Sequence, residues 1–247
     1  MANSNVIAAI DKVRVIVLGD SGVGKTSLVH LISHNKVIRS PSWTIGCSVE
    51  VKLHEYREGT PVQKQYFIEL WDLGGSSAHR NARSVFYTPT HGMILVHDLT
   101  NRKSEENLQK WLSEVLNPES CSFGKNYSHY DEFDSENFLG STQVKIPILV
   151  VGSKLDLLDS KIRTSSQKSR NNIAEQCGCD EIFIDCLDVR SFAAGSSNAV
   201  ILSRFFDKVI ERKYYTREIT TPFDKRRGVS TTSFFGPYSP PRLYHMD

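Results

Sequence analysis

The sequence predicts an α/β three-layer sandwich, with a mostly parallel six-stranded sheet, one antiparallel edge hairpin and helices on both faces. Three observations predict it. Strand-like and helix-like patterns alternate across residues 13–213, and such alternation implies parallel strands joined by crossover helices. A β-branched run near the start feeds straight into a glycine-rich loop and then a helix. Two further segments of strand period are separated only by a short turn, which makes them an antiparallel pair.

Each element follows in order. Val13-Arg14-Val15-Ile16-Val17-Leu18 is rich in β-branched residues and stops at Gly19, as a buried strand does. The helix after the loop gathers Leu28, Val29, Leu31 and Ile32 on its apolar side. Val49, Val51 and Leu53 alternate with Glu50, Lys52 and His54, the period of a strand. The turn Glu58-Gly59-Thr60-Pro61 leads into Tyr66-Phe67-Ile68-Glu69-Leu70-Trp71, the second arm of the hairpin. Met93-Ile94-Leu95-Val96 reads as the next strand. Leu108, Trp111, Leu112, Val115 and Leu116 share one helical face that stops before Asn117-Pro118. Residues 146–151 and Ile182-Phe183-Ile184 are strand-like again, and Leu202, Phe205, Phe206, Val209 and Ile210 repeat the helical spacing.

The chain has 247 residues, 39% of them hydrophobic, which is enough for one large domain with a filled core. Residues 1–12 read as an N-terminal extension, 13–213 as the domain and 214–247 as a disordered tail. Within the domain, residues 117–145 carry Glu119, Asp131, Glu132, Asp134 and Glu136 without any sustained period, so they read as a long acidic surface loop. A net charge of +2 argues against a nucleic-acid binder. No apolar run approaches the roughly 18 residues of a membrane span. Five cysteines in a chain without a signal peptide read as reduced thiols of a cytosolic or nuclear protein, and the cytoplasm is the expected location. Cys177-Gly178-Cys179 lacks a second pair at metal-ligand spacing and reads as free thiols. Asn126-Tyr127-Ser128 matches a glycosylation acceptor, which a cytoplasmic protein does not use.

Gly19-Asp20-Ser21-Gly22-Val23-Gly24-Lys25-Thr26 matches G-x-x-x-x-G-K-[ST] between a strand and a helix, the signature of a P-loop NTPase. Glycines let successive N–H groups turn inward around phosphate oxygens, and the helix N-terminus adds its dipole. Lys25 can reach the β- and γ-phosphates, and the Thr26 hydroxyl can ligate Mg²⁺. After the late strand comes Gly152-Ser153-Lys154-Leu155-Asp156. An aspartate there can accept hydrogen bonds from guanine N1 and N2, which adenine does not offer. The stem of Lys154 can lie across the base while its ammonium ties back to the phosphate loop.

These residues resemble the small GTPases of the Ras superfamily, nearest to Rab proteins, throughout residues 13–213. The phosphate loop through Ser27 and Leu28, Thr44-Ile45-Gly46, and Ile94-Leu95-Val96-His97-Asp98-Leu99-Thr100-Asn101 carry the likeness. Trp43-Thr44-Ile45-Gly46-Cys47-Ser48-Val49, Glu69-Leu70-Trp71-Asp72-Leu73-Gly74-Gly75-Ser76 and Ala193-Ala194-Gly195-Ser196-Ser197-Asn198-Ala199-Val200 narrow it to the Rab-like protein 3 family. The resemblance implies the small GTPase fold, GTP or GDP with Mg²⁺ as ligands, and partners that are effectors or regulators meeting the switch regions. Thr26 and Thr44 would ligate Mg²⁺, Thr44 only beside a γ-phosphate. Asp72 would hold the ion through water, and the Gly75 N–H would contact the γ-phosphate. Lys25, Thr44, Gly75 and Ser76 are then the hydrolytic set. Residues 19–27, Ser153, Lys154, Asp156, Cys186 and Leu187 form the nucleotide site, the Leu187 N–H serving the guanine oxygen.

Several positions depart from the family pattern. Ser76 stands where members that hydrolyse well have a glutamine to orient the attacking water, so turnover is expected to fall below roughly 10⁻⁴ s⁻¹. Arg80 and Arg83 read as solvated charges in the same segment. Ser153 replaces asparagine and loses its amide bridge between base and phosphate loop, a loss of about 1 kcal/mol. Asp188 is a poor stand-in for lysine, and nucleotide exchange is expected to be fast. Trp43 is a candidate cover for the base, or else a core or partner-facing tryptophan. The last cysteine is Cys186, which offers no route to a prenyl anchor, so no stable membrane anchor is expected. Two readings stand: a soluble GTP-dependent switch in signalling or trafficking with weak hydrolysis, or a constitutively nucleotide-bound scaffold or homodimer.

Overall fold

A computed structural model describes residues 10–116, 146–158 and 173–216. The expected N-terminal extension, the acidic stretch 117–145 and the expected tail beyond residue 216 lie largely or wholly outside the described residues. Six strands form one sheet in the order β2-β3-β1-β4-β5-β6. In chain order the elements are β1 (Lys12–Leu18), α1 (Lys25–His34), β2 (Cys47–Tyr56) and β3 (Lys64–Leu73). After them come α2 (Arg80–Arg83), β4 (Gly92–Asp98), α3 (Arg102–Glu106), α4 (Leu108–Leu116) and β5 (Ile148–Ser153). The order closes with α5 (Ile173–Cys177), β6 (Asp180–Phe183) and α6 (Ser197–Tyr214). Among the described residues, only β2 and β3 pair antiparallel, in unbroken register from Cys47 opposite Leu73 to Tyr56 opposite Lys64. The predicted class and hairpin are both present.

Strand β1 lies between β3 and β4, with Val15 opposite both Leu70 and Gly92. Both faces of the sheet are covered, which is why its central strands read as continuous apolar runs. Val13, Val15 and Val17 pack with Leu28, Phe205, Phe206 and Val209 on the α1 and α6 side. Ile16 and Leu18 face the other way, against Leu95, Leu108, Trp111 and Leu112. At the hairpin the covering is one-sided. Glu50, Lys52 and His54 of β2 turn inward, where Lys52 Nζ donates to Ile32 O at 3.1 Å and His54 Nε2 sits 2.8 Å from Asp207 Oδ1. Val49, Val51 and Leu53 are left on the open face, each about half exposed.

Short helix α3 starts at Asn101, whose side chain accepts from the Lys103 N–H. Its residues, Arg102 to Glu106, show no apolar period by which the sequence could announce a helix. Helix α6 begins at Ser196, whose hydroxyl accepts from the Ala199 N–H, a cap worth about 1 kcal/mol. The described structure extends three residues, 214–216, into the stretch expected as tail. Tyr214 OH donates to Lys12 O at 2.9 Å, and Tyr215 stacks on Tyr56 with ring centroids 5.4 Å apart.

Candidate functional site

The parallel strands β1, β3, β4 and β5 deliver their C-terminal ends to one edge of the sheet. Ligands of open α/β sheets bind at that edge, where the strand order reverses. Leaving β1, Gly19 takes φ +147, and a Cβ there would stand 2.2 Å from Val96 O, so only glycine fits. Gly24 (φ +96) ends the loop directly before α1, whose N-terminus has no side-chain cap. Its first N–H groups therefore face outward for an anion. Lys25 Nζ donates to Gly19 O and Asp20 O, both at 2.8 Å. Burial lowers its pKa to about 8 against the opposing pull of Asp72 and Asp20. The Asp20 carboxylate accepts from Asn107 Nδ2 at 2.7 Å and from Trp111 Nε1 at 2.9 Å. Sequence reading placed Trp111 only in the core and did not single out Asn107.

Next to the loop, three oxygen-bearing side chains meet. Thr26 Oγ1 donates to Asp72 Oδ2 at 2.6 Å, Thr44 Oγ1 donates to the same oxygen at 3.0 Å, and the two hydroxyls are 3.1 Å apart. Asp72 is buried, and its Oδ1 has no hydrogen-bond partner. Burial raises its pKa, while the Thr26 hydrogen bond and the Lys25 charge lower it. An orphaned carboxylate oxygen beside two hydroxyls offers a set of oxygen donors that fits a hard divalent cation such as Mg²⁺.

The segment after β3 closes on the loop. A Cβ at Gly75 would lie 2.5 Å from Asp20 C and from Ser21 N, and one at Gly74 would lie 2.6 Å from Thr44 O. Only glycine lets the two chains approach so closely. Arg83, expected as a solvated charge, is instead buried. Its Nη1 donates to Gly74 O at 3.1 Å and Ser76 O at 2.7 Å, its Nη2 lies 3.2 Å from Glu114 Oε1, and its guanidinium stacks 4.2 Å from the Trp111 ring. The local sequence gave no sign of this, because Glu114 lies on α4 and only the fold brings it near. Arg80 does stay half exposed, although it also reaches Glu114 at 3.2 Å.

On the far side of the loop, Ser153 is fully buried at the end of β5. Its hydroxyl bonds Val23 O of the loop and lies 2.9 Å from His97 O. The retained hydroxyl thus keeps the tie to the phosphate loop, because β5 ends against Val23; the expected loss concerns the amide's contact with the base. Lys154, held at φ +60, directs its ammonium to Asp98 Oδ2 at 2.6 Å rather than to the phosphate loop. Asp156 stands exposed in the turn that follows, near enough to Cys186 for its charge to reinforce burial in raising that thiol to about 12. The Leu187 N–H donates to Asp185 Oδ1 at 2.7 Å. Trp43 is 88% exposed, which removes the core alternative for it.

Residues 14–122 match the Roc domain model, described as Ras of Complex, Roc, domain of DAPkinase. The Rab-like protein 3 of Mus musculus is 51% identical over 216 residues, covering 86% of this chain and 90% of the relative. The Homo sapiens Rab-like protein 3 is 50% identical with the same coverage. The chain belongs to the Rab-like protein 3 family. Small GTPase LIP1 of Arabidopsis thaliana is a more distant relative, 32% identical over 233 residues, which span 84% of this chain and 64% of LIP1. Membership in the Rab-like protein 3 family carries guanine-nucleotide binding as its general implication, with Mg²⁺ as the usual ion. Among the described residues, no helix is long and apolar enough to cross a membrane.

Proposed function

We propose that this Rab-like protein 3 relative is a cytoplasmic regulatory switch that binds GTP and GDP with Mg²⁺ and hydrolyses GTP very slowly. One observation carries the reading: Thr26, Thr44 and Asp72 meet within 3.1 Å while Gly75 closes against the phosphate loop. In this reading residues 19–27 cradle the phosphates, Lys25 exchanges its loop carbonyls for phosphate oxygens, and Asp156 selects guanine. Ser153 ties the base-side strand to the loop, and Cys186 and Leu187 border the base. The Leu187 N–H must leave Asp185 to serve the guanine oxygen. Thr26, Thr44 and Asp72 would hold Mg²⁺, which when bound neutralises charge on the phosphate oxygens. Thr44 and Gly75 sense the γ-phosphate, and their release after hydrolysis loosens both segments.

Effectors or regulators would meet the apolar surface beside Thr44, where Trp43 and Ile45 are 88% and 85% exposed and Val49, Val51 and Leu53 continue the patch. The scaffold or homodimer reading draws its support from Ser76, which weakens the hydrolytic reset. Intrinsic fluorescence separates the two, because Trp43 adjoins Thr44. A non-hydrolysable GTP analogue is expected to change emission relative to GDP, and Trp43→Phe is expected to abolish the difference. Identical spectra in both nucleotides would contradict switching.

A further inference from the structure

Away from the phosphate loop, α1 and β2 bring three metal-ligating side chains together. His30 and His34 are one turn apart on α1 and share a face, the i, i+4 spacing by which helices present paired imidazoles to zinc. Glu50 projects from β2 between them. Its Oε1 lies 3.5 Å from His30 Nδ1 and its Oε2 lies 3.1 Å from His34 Nδ1. One ligand atom from each residue falls within 4.8 Å of the other two. The imidazoles stack with centroids 4.6 Å apart and planes 23° from parallel. Glu50 Oε2 is shielded from solvent yet has no hydrogen-bond partner, because His34 approaches it off-axis.

We propose that His30, His34 and Glu50 form a binding site for a divalent transition metal of the zinc type. Zinc bonds of about 2.0–2.1 Å in tetrahedral geometry set ligand atoms roughly 3.4 Å apart; the two imidazole–carboxylate spacings, each to a different oxygen of Glu50, lie near that value, and the set as a whole spans up to 4.8 Å, so side-chain adjustment draws it in around an ion. Two imidazoles and a carboxylate make a three-ligand zinc set, with water as the fourth ligand. Nitrogen donors distinguish it from the all-oxygen set of Thr26, Thr44 and Asp72, which suits a harder ion. Cys47 lies three residues from Glu50 on the same strand and so stands on the opposite face, outside the set. The site joins the helix that carries the phosphate loop to the strand that follows Thr44. An ion there clips these two elements together, independently of which nucleotide the protein binds.

The competing reading is a pair of histidine–carboxylate ion pairs that take no metal. Titration of the purified full-length protein with Co²⁺, in excess Mg²⁺, decides between them. The expected result is a tetrahedral visible absorption band that saturates at a single equivalent, carries no thiolate charge-transfer band and is bleached by Zn²⁺. His34→Gln is expected to weaken Co²⁺ binding by about 10- to 100-fold. The His34 side chain is half exposed, so this variant keeps the fold, and its far-UV circular dichroism serves as the check. Zn²⁺ at a concentration that just saturates the wild type is expected to raise its Tm and to raise that of His34→Gln clearly less. No tetrahedral band in the wild type, or a band unchanged in both His30→Gln and His34→Gln, would overturn the proposal.

Discussion

On the proposed reading, a serine at position 76 is too short to hold a water in line with a γ-phosphate. Since phosphoryl transfer to water depends on positioning and charge stabilisation, the missing reach would then slow hydrolysis rather than weaken binding. Ser76→Gln is expected to raise single-turnover GTP hydrolysis on the order of tenfold or more, with nucleotide affinity unchanged; equal rates in the two proteins would place the defect elsewhere. Lys25 illustrates the opposite balance. Its folded pKa, about 8, lies below the ordinary lysine value of 10.5, so burying the ammonium costs roughly 3 kcal/mol at neutral pH. Below pH 8 both folded and unfolded states carry the proton and the cost is complete. Between pH 8 and 10.5 the folded state releases the proton first, and the cost fades. In nucleotide-stripped protein, the wild type should therefore gain stability relative to Lys25→Met across that interval. Urea denaturation at several pH values measures the gap, and a gap independent of pH would show that Lys25 is not paying this cost.

Between elements, the Arg83–Glu114 pair does most to shape the segment after β3. Arg83 holds the carbonyls on either side of Gly75, and Glu114, itself buried, also accepts from Tyr87 OH. Removing the guanidinium leaves the buried Glu114 carboxylate with only the half-exposed Arg80 and the Tyr87 hydroxyl to compensate it. Arg83→Ala is expected to destabilise the fold by about 3–5 kcal/mol in chemical denaturation, with Arg83→Met/Glu114→Leu recovering most of it. A loss below about 1 kcal/mol would mean that the pair behaves like an exposed one. This network also marks where sequence reading runs out. Period and composition reveal that α4 has an apolar face, but Glu114 lies inside that face and its partner is 31 residues away. The arginine looked solvated because nothing local pairs with it. Strand β2 is a second case: its alternation was legible, whereas the side facing the protein depends on α1 and α6 covering only one face of the hairpin.

At the scale of the molecule, legibility follows the same division. The sheet, its hairpin and its covering helices were readable because periods of 2 and 3.6 residues record burial directly. The phosphate loop was readable because glycines at fixed spacing have few alternative uses. Long-range ties were not, among them the Ser153 hydroxyl on Val23, Lys154 on Asp98, and Asp20 pinned by Asn107 and Trp111. Each depends on two strand ends or a helix junction arriving at the same edge. All of them gather at the edge formed by the C-terminal ends of β1, β3, β4 and β5, and the proposed function stands or falls on what binds there. The most direct measurement is chromatography of the nucleotide released when freshly purified protein is denatured. A single guanine nucleotide per chain is expected, with GTP retained beside GDP because Ser76 slows hydrolysis. Release of adenine nucleotides, or of none, would contradict the assignment.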